Sequence, residues 1–454
     1  MFSLSIFRRI SLIRSLLAAA LLHQLTAPLW AATPGQRIVV NIDLVQLTAP
    51  LSLQEAQQLA VGRSGQLLAQ DAVTRATRDM AVAAGQLPDP VLKLGIDNLP
   101  VTGPDRLSLS RDFMTQGRIG VMQEITRSDK LRLRAERFER SAQKTLAEKR
   151  VTVAAIERDT ALAWLDLYYA QAMVAVVAEQ GSQARLETEA AEGAYRAGRG
   201  NQADIFTSRS TLVSFENLAS EVRRRVLNAK TMLARWIGSA ADLPLAGKPA
   251  TEVIRLDPAT LETQLTHDPQ IAVATRQIEI AESEAKLAQA NKKSDWTVEV
   301  AYQQRGSAFS NLVSVGVTIP FQWDQKNRQD RELSATLALV EQAKAERDEM
   351  LRDRIAQMRT MINDWENNRE RSARFEGELI PLASKRTLAA ITTYRGGKAT
   401  LTEVLAGRRN EIDVRIQALQ LQTDTARLWA QLNFLFPTGD VAAHTIMNTN
   451  EDTK

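Results

Sequence analysis

The stretch Tyr195-Arg-Ala-Gly-Arg-Gly-Asn-Gln-Ala-Asp-Ile-Phe206 recurs without a gap in the second half of the chain as Tyr394-Arg-Gly-Gly-Lys-Ala-Thr-Leu-Thr-Glu-Val-Leu405. Upstream of each copy, in the same order, stands a Lys-x-Arg motif, at 130–132 and at 326–328. Self-similarity over so long a period indicates a chain built from two copies of one structural unit. The glycines inside both stretches predict a turn between two helices in each copy.

The composition narrows the classes of protein to consider. Charged residues make up 24% of the 454 residues and aromatic residues 5%, a mixture typical of long helices. The sequence contains no cysteine, which excludes disulfides, zinc–thiolate sites and thiol nucleophiles. No grouping of nucleophile, base and oxyanion donors is recognisable, so we expect neither an enzyme nor a cofactor. The net charge of +4 gives no reason to expect a nucleic-acid partner.

The N-terminal residues have the order of a cleavable secretory signal. A basic start that includes Arg8 precedes an apolar run over 16–29 and the small residue Ala31. A single membrane anchor is the alternative, but the run is short for a membrane span. We therefore predict a signal peptide at 1–32, an N-terminal extension at 33–50, and export from the cytoplasm.

A helix of about three dozen residues is predicted to open each unit. In the first copy, Ser52 and Glu55 have the spacing of a capping box, and the helix runs to Gln86 before two prolines. In the second copy, the matching helix covers 257–293.

A second, far longer helix follows in each unit, at 128–196 and at 326–395. Some 70 residues at 1.5 Å per residue reach roughly 100 Å. Each long helix ends at a glycine turn, and return helices run to 237 and to 435. Because an opening and a return helix together match the long helix in length, we predict that they lie end to end beside it. Pro381 predicts a bend in the second long helix.

Four short runs alternate apolar and polar residues, which is the period of a strand with one apolar face. They lie at 91–97, 119–125, 296–303 and 313–319. The predicted fold class is therefore mainly α with a small β part. The predicted organisation comprises a first repeat at 51–237, an inter-repeat segment at 238–255, a second repeat at 256–436 and a polar tail at 437–454.

Four strands with one apolar face cannot close a barrel on their own. In lipid, an open sheet edge leaves unpaired backbone groups, each of which is costly. In water, the apolar face needs a cover, yet the adjoining helices are far too long to fold back over such short strands. Several exported subunits satisfy both conditions when they pool their strands in one closed barrel. This predicts an oligomeric membrane pore with a helical conduit.

The two Tyr-x-x-Gly segments, each followed by an acid and two apolar residues, and the placement of the hairpins resemble the TolC-type outer-membrane efflux proteins. The resemblance covers the chain from about Leu51 to Phe436. It implies a homotrimer with a twelve-stranded transmembrane β-barrel, four strands per subunit, and a periplasmic barrel of helical coiled coils. It also implies an outer-membrane exit duct, surrounded by outer-membrane lipid, that conducts substrate passively from a periplasmic adaptor and an inner-membrane RND-type pump.

The stretches 85–90 and 98–101 are similar to the heavy-metal branch of this family, the CzcC- and CusC-like proteins. Heavy-metal cations are therefore the expected substrate. Two alternatives stay open: a duct for drugs or other small organic molecules, and a periplasmic adaptor protein. Adaptors carry one helical hairpin flanked by β-rich domains, whereas this sequence predicts two hairpin units and few strands.

The resemblance assigns roles by position at the two turns. The adaptor-facing tips comprise Tyr195, Gly198, Arg199, Gly200, Gly397, Lys398 and Ala399. Asp204 and Tyr394 match a latch between tip helices, and Glu403 matches an acid at the narrow aperture. The second aperture acid of the family is Ala406 here, and the basic latch residue is replaced by Ala399, with Lys398 beside it. From the residues alone, Asp204 and Glu403 are simply acids in the first turn of a helix, where they complement its dipole.

Basic residues follow both predicted hairpins. They are Lys130, Arg132, Arg134, Arg137 and Arg140 after the first, and Lys326, Arg328 and Arg331 after the second. In an exported protein these runs indicate solvated helix faces, placed where they meet lipid headgroups at the inner rim of the barrel.

Overall fold

The computed structural model describes residues 49–198, 200–248 and 250–438. The predicted signal peptide, nearly all of the predicted N-terminal extension, Arg199 and the tail beyond Thr438 lie outside these residues.

The first repeat contains six main elements. They are α1 (Leu53–Arg63), α2 (Gly65–Ala84), β1 (Val91–Asp97), β2 (Gln116–Ile125), α3 (Ser128–Arg196) and α4 (Gln202–Ile237). A short 3-10 turn, Gly238–Asp242, follows α4. The long helix α3 has the predicted bounds and is unbroken.

The second repeat has the same order of elements. They are α5 (Leu261–Leu265), α6 (Pro269–Asn291), β3 (Trp296–Arg305), β4 (Leu312–Thr318), α7 (Gln329–Arg374), a π turn (Phe375–Leu379), α8 (Ile380–Arg395) and α9 (Leu401–Asn433). The prediction of a duplicated, mainly helical chain with a small β part is confirmed.

The opening helices differ from the prediction. The capping box at Ser52 is present, since its side chain accepts from the Glu55 amide at 3.2 Å and the Glu55 carboxylate accepts from the Ser52 amide at 2.9 Å. The single helix predicted from there is wrong, because Ser64 has extended backbone angles, ends α1 and caps α2. In the second copy, the predicted start at 257 is also wrong. Pro269 cannot donate within a helix, so α6 begins there with Asp268 as its cap.

The second long helix is interrupted next to Pro381. This proline lies in the first turn of α8, where a missing amide hydrogen costs little. The π turn that precedes it takes up the change in hydrogen-bond register. The interruption of the helix therefore lies over 375–379, just before Pro381, the residue from which a bend is predicted.

The four strands form one antiparallel sheet in the order β1-β2-β3-β4, and the β2–β3 pair joins the two repeats. Rows of apolar side chains cross one face of the sheet. One row is Leu92, Val121, Val300 and Val315, and another is Leu94, Ile119, Tyr302 and Val313. These side chains are exposed, Val315 at 70%, and no described residue covers them. The other face is polar. Glu299 forms ion pairs there with Lys93 and Arg118, and Arg118 forms a second ion pair with Asp97.

The core lies where α1, α3, α4 and α9 meet. Trp164 on α3 is 1% exposed, and its indole nitrogen donates to the Leu51 carbonyl at 3.2 Å. Leu233 of α4 and Ala430 of α9 pack in the same cluster. One core therefore holds both repeats together around α3.

Among the described helices, α3 is the one whose length and composition would let it cross a membrane, and 44% of its most apolar window is buried inside the protein.

Helix α3 is the central helix of the bundle. It contacts α2 and α6 in the half next to the sheet, and α4 and α9 in the half next to the turns. Helix α7 adjoins α6 and α9, and α8 adjoins α9. The two margins of the helical layer are therefore α2 with α4 on one side, and α7 with α8 on the other.

The predicted solvated face after the first hairpin is wrong for Lys130, whereas Arg137 and Arg140 stay partly exposed and also form ion pairs with α6. The Lys130 side chain is 4% exposed and its Nζ lies 2.7 Å from Asp295. Arg137 and Arg140 reach Glu284 and Glu279 of α6 at 3.6 and 3.1 Å. These residues join α3 to the second repeat, because α6 packs along the same face of α3.

Strand β2 depends on a glycine where it approaches β3. A Cβ built on Gly120 would lie 2.8 Å from the Ala301 Cβ and 3.2 Å from the Val300 carbonyl oxygen. Ala301 is 1% exposed, so it cannot move aside into solvent. On the same polar face, a Cβ on Gly95 would meet nothing within 4 Å.

We predict that Gly120→Ala destabilises the sheet by about 1–3 kcal/mol, because the added methyl group overpacks the β2–β3 pair. Gly95→Ala is the matched control and should behave like the natural protein. Guanidinium unfolding of the purified protein in detergent measures both. Equal midpoints for the two variants would contradict the close approach at Ala301.

Candidate functional site at the helical tips

Both turns between helices depend on a glycine with left-handed backbone angles. Gly198 has φ +70° and Gly397 has φ +72°, a region that glycine enters without a steric penalty. Their amides donate to the carbonyls of Tyr195 and Tyr394 at 3.0 and 2.9 Å. The two tips are thus built alike, as the duplicated sequence predicts, and Lys398 and Ala399 lie in the second turn beside Gly397.

The two acids at the tips lie in the first turns of return helices. The Asp204 amide donates to the Asn201 side chain at 3.2 Å, and its carboxylate accepts from the Asn201 amide, completing a capping box. The Glu403 amide donates to the Thr400 hydroxyl at 3.4 Å. Glu403 is exposed. The helix-start interpretation therefore describes the local geometry of both acids, and it leaves the Glu403 carboxylate open to solvent.

The two tips pack against each other. Ala191 of α3 and Leu401, Val404 and Leu405 of α9 form a small buried cluster, and Tyr394 packs on its edge. Within the described part of one chain, no hydrogen bond joins Asp204 to Tyr394. The copies also differ: Phe206 is 59% exposed, whereas its counterpart Leu405 is 5% exposed. The surfaces of the two tips therefore differ.

A network of buried charges lies beyond the tips and was not expected from the sequence. Arg408 of α9 lies 3.2 Å from Glu187 of α3, and both side chains are 13% exposed. Arg408 also lies 3.5 Å from Glu411, which in turn bonds to Arg415 at 3.0 Å and to the Ser384 hydroxyl of α8 at 2.7 Å. The network joins three helices, so it fixes the position of α9 relative to α3 and α8.

The pKa values of the two acids in the network are shifted in opposite directions. Burial raises the pKa of Glu187, although Arg408 opposes this shift, and its Oε2 is buried without a partner among the described residues. Burial acts the same way on Glu411, but hydrogen bonds from Ser384, Thr387 and Arg415 outweigh it and hold the pKa of that carboxyl below its usual range. Glu411 is therefore the acid that anchors the network in its ionised form.

Sequence reasoning missed this network because its central pair is 221 residues apart. One signal was available. Arg408, Glu411 and Arg415 have the i, i+3 and i+7 spacing that places three charges on one helix face. The partner on α3 becomes visible only once both repeats are packed. Arg408 lies five residues beyond Glu403, so the network begins about 7–8 Å along the helix axis from the tip acid.

The described residues hold no group of three or more His, Asp or Glu side chains placed to bind a metal ion. The tips present an exposed acid, Glu403, beside the packed cluster of Leu401, Val404 and Leu405.

A duplicated bundle of long helices that carries a four-stranded antiparallel sheet is the fold of the TolC-type outer-membrane channels. It matches the outer-membrane channel OprN with a TM-score of 0.70, at 15% identity, over 85% of this chain and 89% of that one. It matches the outer membrane protein VceC of Vibrio cholerae with a TM-score of 0.67, at 18% identity, over 84% and 95% of the two chains. A third match, to CusC, has a TM-score of 0.71 at 13% identity over 85% and 93%. Identities this low show a shared fold.

In sequence, the chain is similar to the cobalt-zinc-cadmium resistance protein CzcC of Cupriavidus metallidurans. The two are 22% identical over 379 residues, which is 82% of this chain and 87% of that protein. No protein-family model matches the chain. The sequence resemblance to TolC-type proteins, with its similarity to the heavy-metal branch, is confirmed by these matches.

We predict that Glu411→Gln destabilises the helical bundle by about 1.5–3 kcal/mol near pH 7, the range for hydrogen bonds to a charged group. The lowered folded-state pKa means that ionised Glu411 stabilises the fold above the usual carboxyl pKa, and that this contribution is lost as the pH falls through the folded-state value. The difference between variant and natural protein should therefore shrink below about pH 4.5.

The measurement is guanidinium unfolding followed by circular dichroism at neutral and acidic pH. Glu139→Gln, at an exposed position of α3, is the control and should leave the midpoint unchanged at both. A gap between Glu411→Gln and the natural protein that persists in acid would rule out ionised Glu411 as the anchor.

Proposed function

We propose that the chain is the outer-membrane exit duct of a tripartite efflux pump and conducts heavy-metal cations passively out of the cell. The observation that carries this proposal is the sheet: four strands with an uncovered apolar face and two open edges, joined to a bundle of long helices. The similarity to a cobalt-zinc-cadmium resistance protein supports metal cations as the cargo.

The open edges of β1 and β4 support a closed oligomeric barrel. In a ring, β1 of one copy pairs with β4 of the next, so every backbone group in the membrane finds a partner. Two copies would give about eight strands, a number whose interior is filled by side chains. Three copies give twelve, which leaves a lumen lined by the polar face of the sheet. A homotrimer is therefore the smallest ring that makes a duct.

The helical margins support the same ring. Large apolar side chains are exposed along both margins of the bundle. They are Leu68, Val73 and Val82 on α2, Val213, Leu227 and Met232 on α4, Leu337, Leu339 and Met350 on α7, and Leu382 and Leu388 on α8. A contact between two different surfaces, repeated head to tail, closes into a ring when the rotation allows it. The margin α2–α4 of one copy then packs on the margin α7–α8 of the next.

At the far end from the sheet, the tips take the roles that the family resemblance implies. Glu403, exposed in the first turn of α9 in each copy, forms an acidic ring at the aperture, which attracts cations. Asp204, Tyr394 and Lys398 form the latch between neighbouring tips. The turns Tyr195–Gly200 and Gly397–Ala399 face the periplasmic adaptor, behind which stands an RND-type pump in the inner membrane.

Two alternatives are distinguished by simple assays. A periplasmic adaptor would be found outside the outer membrane fraction. A duct for drugs would, on deletion of its gene, sensitise cells to organic toxins and leave tolerance to cobalt, zinc and cadmium unchanged. The proposed metal duct gives the opposite pattern of sensitivity.

We predict that Val213→Asp on α4 and Leu382→Asp on α8 each weaken the trimer, because each buries a carboxylate in the contact between copies. Their side chains are 61% and 60% exposed in the single chain. Leu186, 57% exposed on the central helix α3, is the matched control. Light scattering in detergent measures the oligomer mass. A stable trimer in both margin variants, or dissociation in Leu186→Asp, would refute the proposed contact.

We predict that Glu403→Ala lowers the cation-over-anion permeability ratio of the reconstituted channel several-fold, because it removes the acidic ring at the narrowest point. Planar-bilayer recordings in a salt gradient measure the ratio. Glu282→Ala, which removes an exposed acid of α6 far from the tips, should change it little. An unchanged ratio in Glu403→Ala would show that the residue is only a helix-start acid.

A further inference from the structure

The connection between β4 and α7 is much longer than its counterpart in the first repeat. Residues 319–328 separate this strand from its helix, whereas only Thr126 and Arg127 separate β2 from α3. We call residues 319–328 the hook. Because the two repeats otherwise share their order of elements, an extra segment in one copy points to a task that the other copy does not have.

The hook is held in place from one side. The Ser294 hydroxyl donates to the Pro320 carbonyl at 2.6 Å. The side-chain amides of Gln322 and Gln325 donate to the carbonyls of Asn291 and Lys292 at 2.9 and 3.2 Å. These carbonyls belong to the C-terminal end of α6, where the helix itself leaves them without partners. The polar side of the hook is thus fixed to the bundle.

Apolar residues of the hook follow those of β4 along the chain. In this strand Val313, Val315 and Val317 point to the uncovered face. Beyond its end at Thr318, apolar residues stand at every second position of the sequence through Ile319, Phe321 and Trp323. Phe321 and Trp323 are 82% and 88% exposed. Their rings meet edge to face with centroids 5.9 Å apart. A pair of exposed aromatic rings in mutual contact therefore follows the apolar side chains of β4 along the chain.

Cations lie directly beyond the rings. Lys326 and Arg331 are exposed and have no ion-pair partner among the described residues. The exposed Lys293 attracts the carboxylate of Asp129. A cleft of about 650 Å³ runs between the hook and the helix ends, lined in part by Phe321, Trp323 and Arg328. The order from sheet to helix is thus aliphatic, then aromatic, then cationic, which is the order of a membrane interface on the side of acyl chains, glycerol and phosphate.

We infer that the hook binds the phosphate headgroup of an anionic phospholipid in the periplasmic leaflet of the outer membrane. This inference rests on the proposed function, which sets the sheet in that membrane with its helices on the periplasmic side. Phe321 and Trp323 lie among the glycerol and upper acyl carbons, and Lys326 and Arg331 contact the phosphate. Each subunit carries one such site, so a trimer holds three.

The charges favour lipid over a neighbouring copy as the occupant. In a closed ring, the segment of the next subunit nearest the hook is the one that leads into its β1, residues 85–90. That segment contains one acid, Asp89, against the two unpaired cations Lys326 and Arg331. The acid of the hook itself, Asp324, accepts hydrogen bonds from Asn327. An anionic lipid surface supplies the missing negative charge and an apolar layer for the rings at the same time.

The test is native mass spectrometry of the full-length protein, extracted from vesicles of phosphatidylethanolamine with phosphatidylglycerol. The natural protein should retain up to three phosphatidylglycerol molecules per trimer. The double variant Lys326→Gln with Arg331→Gln should retain them roughly tenfold more weakly or worse, since it removes two cations per site. Arg223→Gln with Arg224→Gln, the same loss of charge at exposed positions of α4, should retain them like the natural protein.

Each other outcome counts against the inference in its own way. Equal retention in both double variants would refute the hook as the site. Dissociation of the Trp323→Ser trimer into subunits that retain as much lipid per subunit as the natural protein would show that the hook docks on a neighbouring copy instead. A natural protein that retains no anionic lipid yet inserts and conducts ions would overturn this inference alone, whereas failure to insert into any vesicle would overturn the proposed function.

Discussion

The outer edges of β1 and β4 carry backbone amides and carbonyls that no described strand of the same chain pairs, beside a band of valine, leucine and isoleucine side chains open to solvent. In lipid such edges are costly, and in water such a band is equally unfavourable. Oligomerisation relieves both at once. The proposed barrel, which pools strands from several subunits, also gathers their long helices into a bundle on one side.

The two repeats share one architecture and differ from each other at three places. The exposed Phe206 corresponds to the buried Leu405, the unbroken α3 corresponds to an α7–α8 pair separated by a π turn, and a two-residue connection corresponds to the hook. Around the proposed ring of identical subunits, these differences alternate. Ion pairs that run from Glu187 through Arg408 to Glu411 connect the two repeats near the tips. Because these ion pairs are largely buried, a movement of one tip helix must break them where solvent has little access.

The sequence was sufficient for the elements whose signals are local. Strand alternation, the glycine turns, the capping box at Ser52 and the length of α3 all follow from neighbouring residues. It was insufficient where distant segments decide. Lys130 belongs to a basic run, yet it is buried because Asp295 from the other repeat lies beside it. The partner of Arg408 is likewise on a distant helix. Ser64 interrupts the first opening helix because its side chain caps α2, a competition between cap and helix that periodicity alone does not reveal.

The central claim is that the uncovered sheet closes only between subunits. An electron cryomicroscopy reconstruction of the protein extracted from the outer membrane tests it directly. The account predicts three copies around one axis, twelve strands in a closed barrel, and β1 of each copy hydrogen-bonded to β4 of the next. A monomer with a covered sheet, or an assembly in which β1 and β4 keep their edges free, would contradict it.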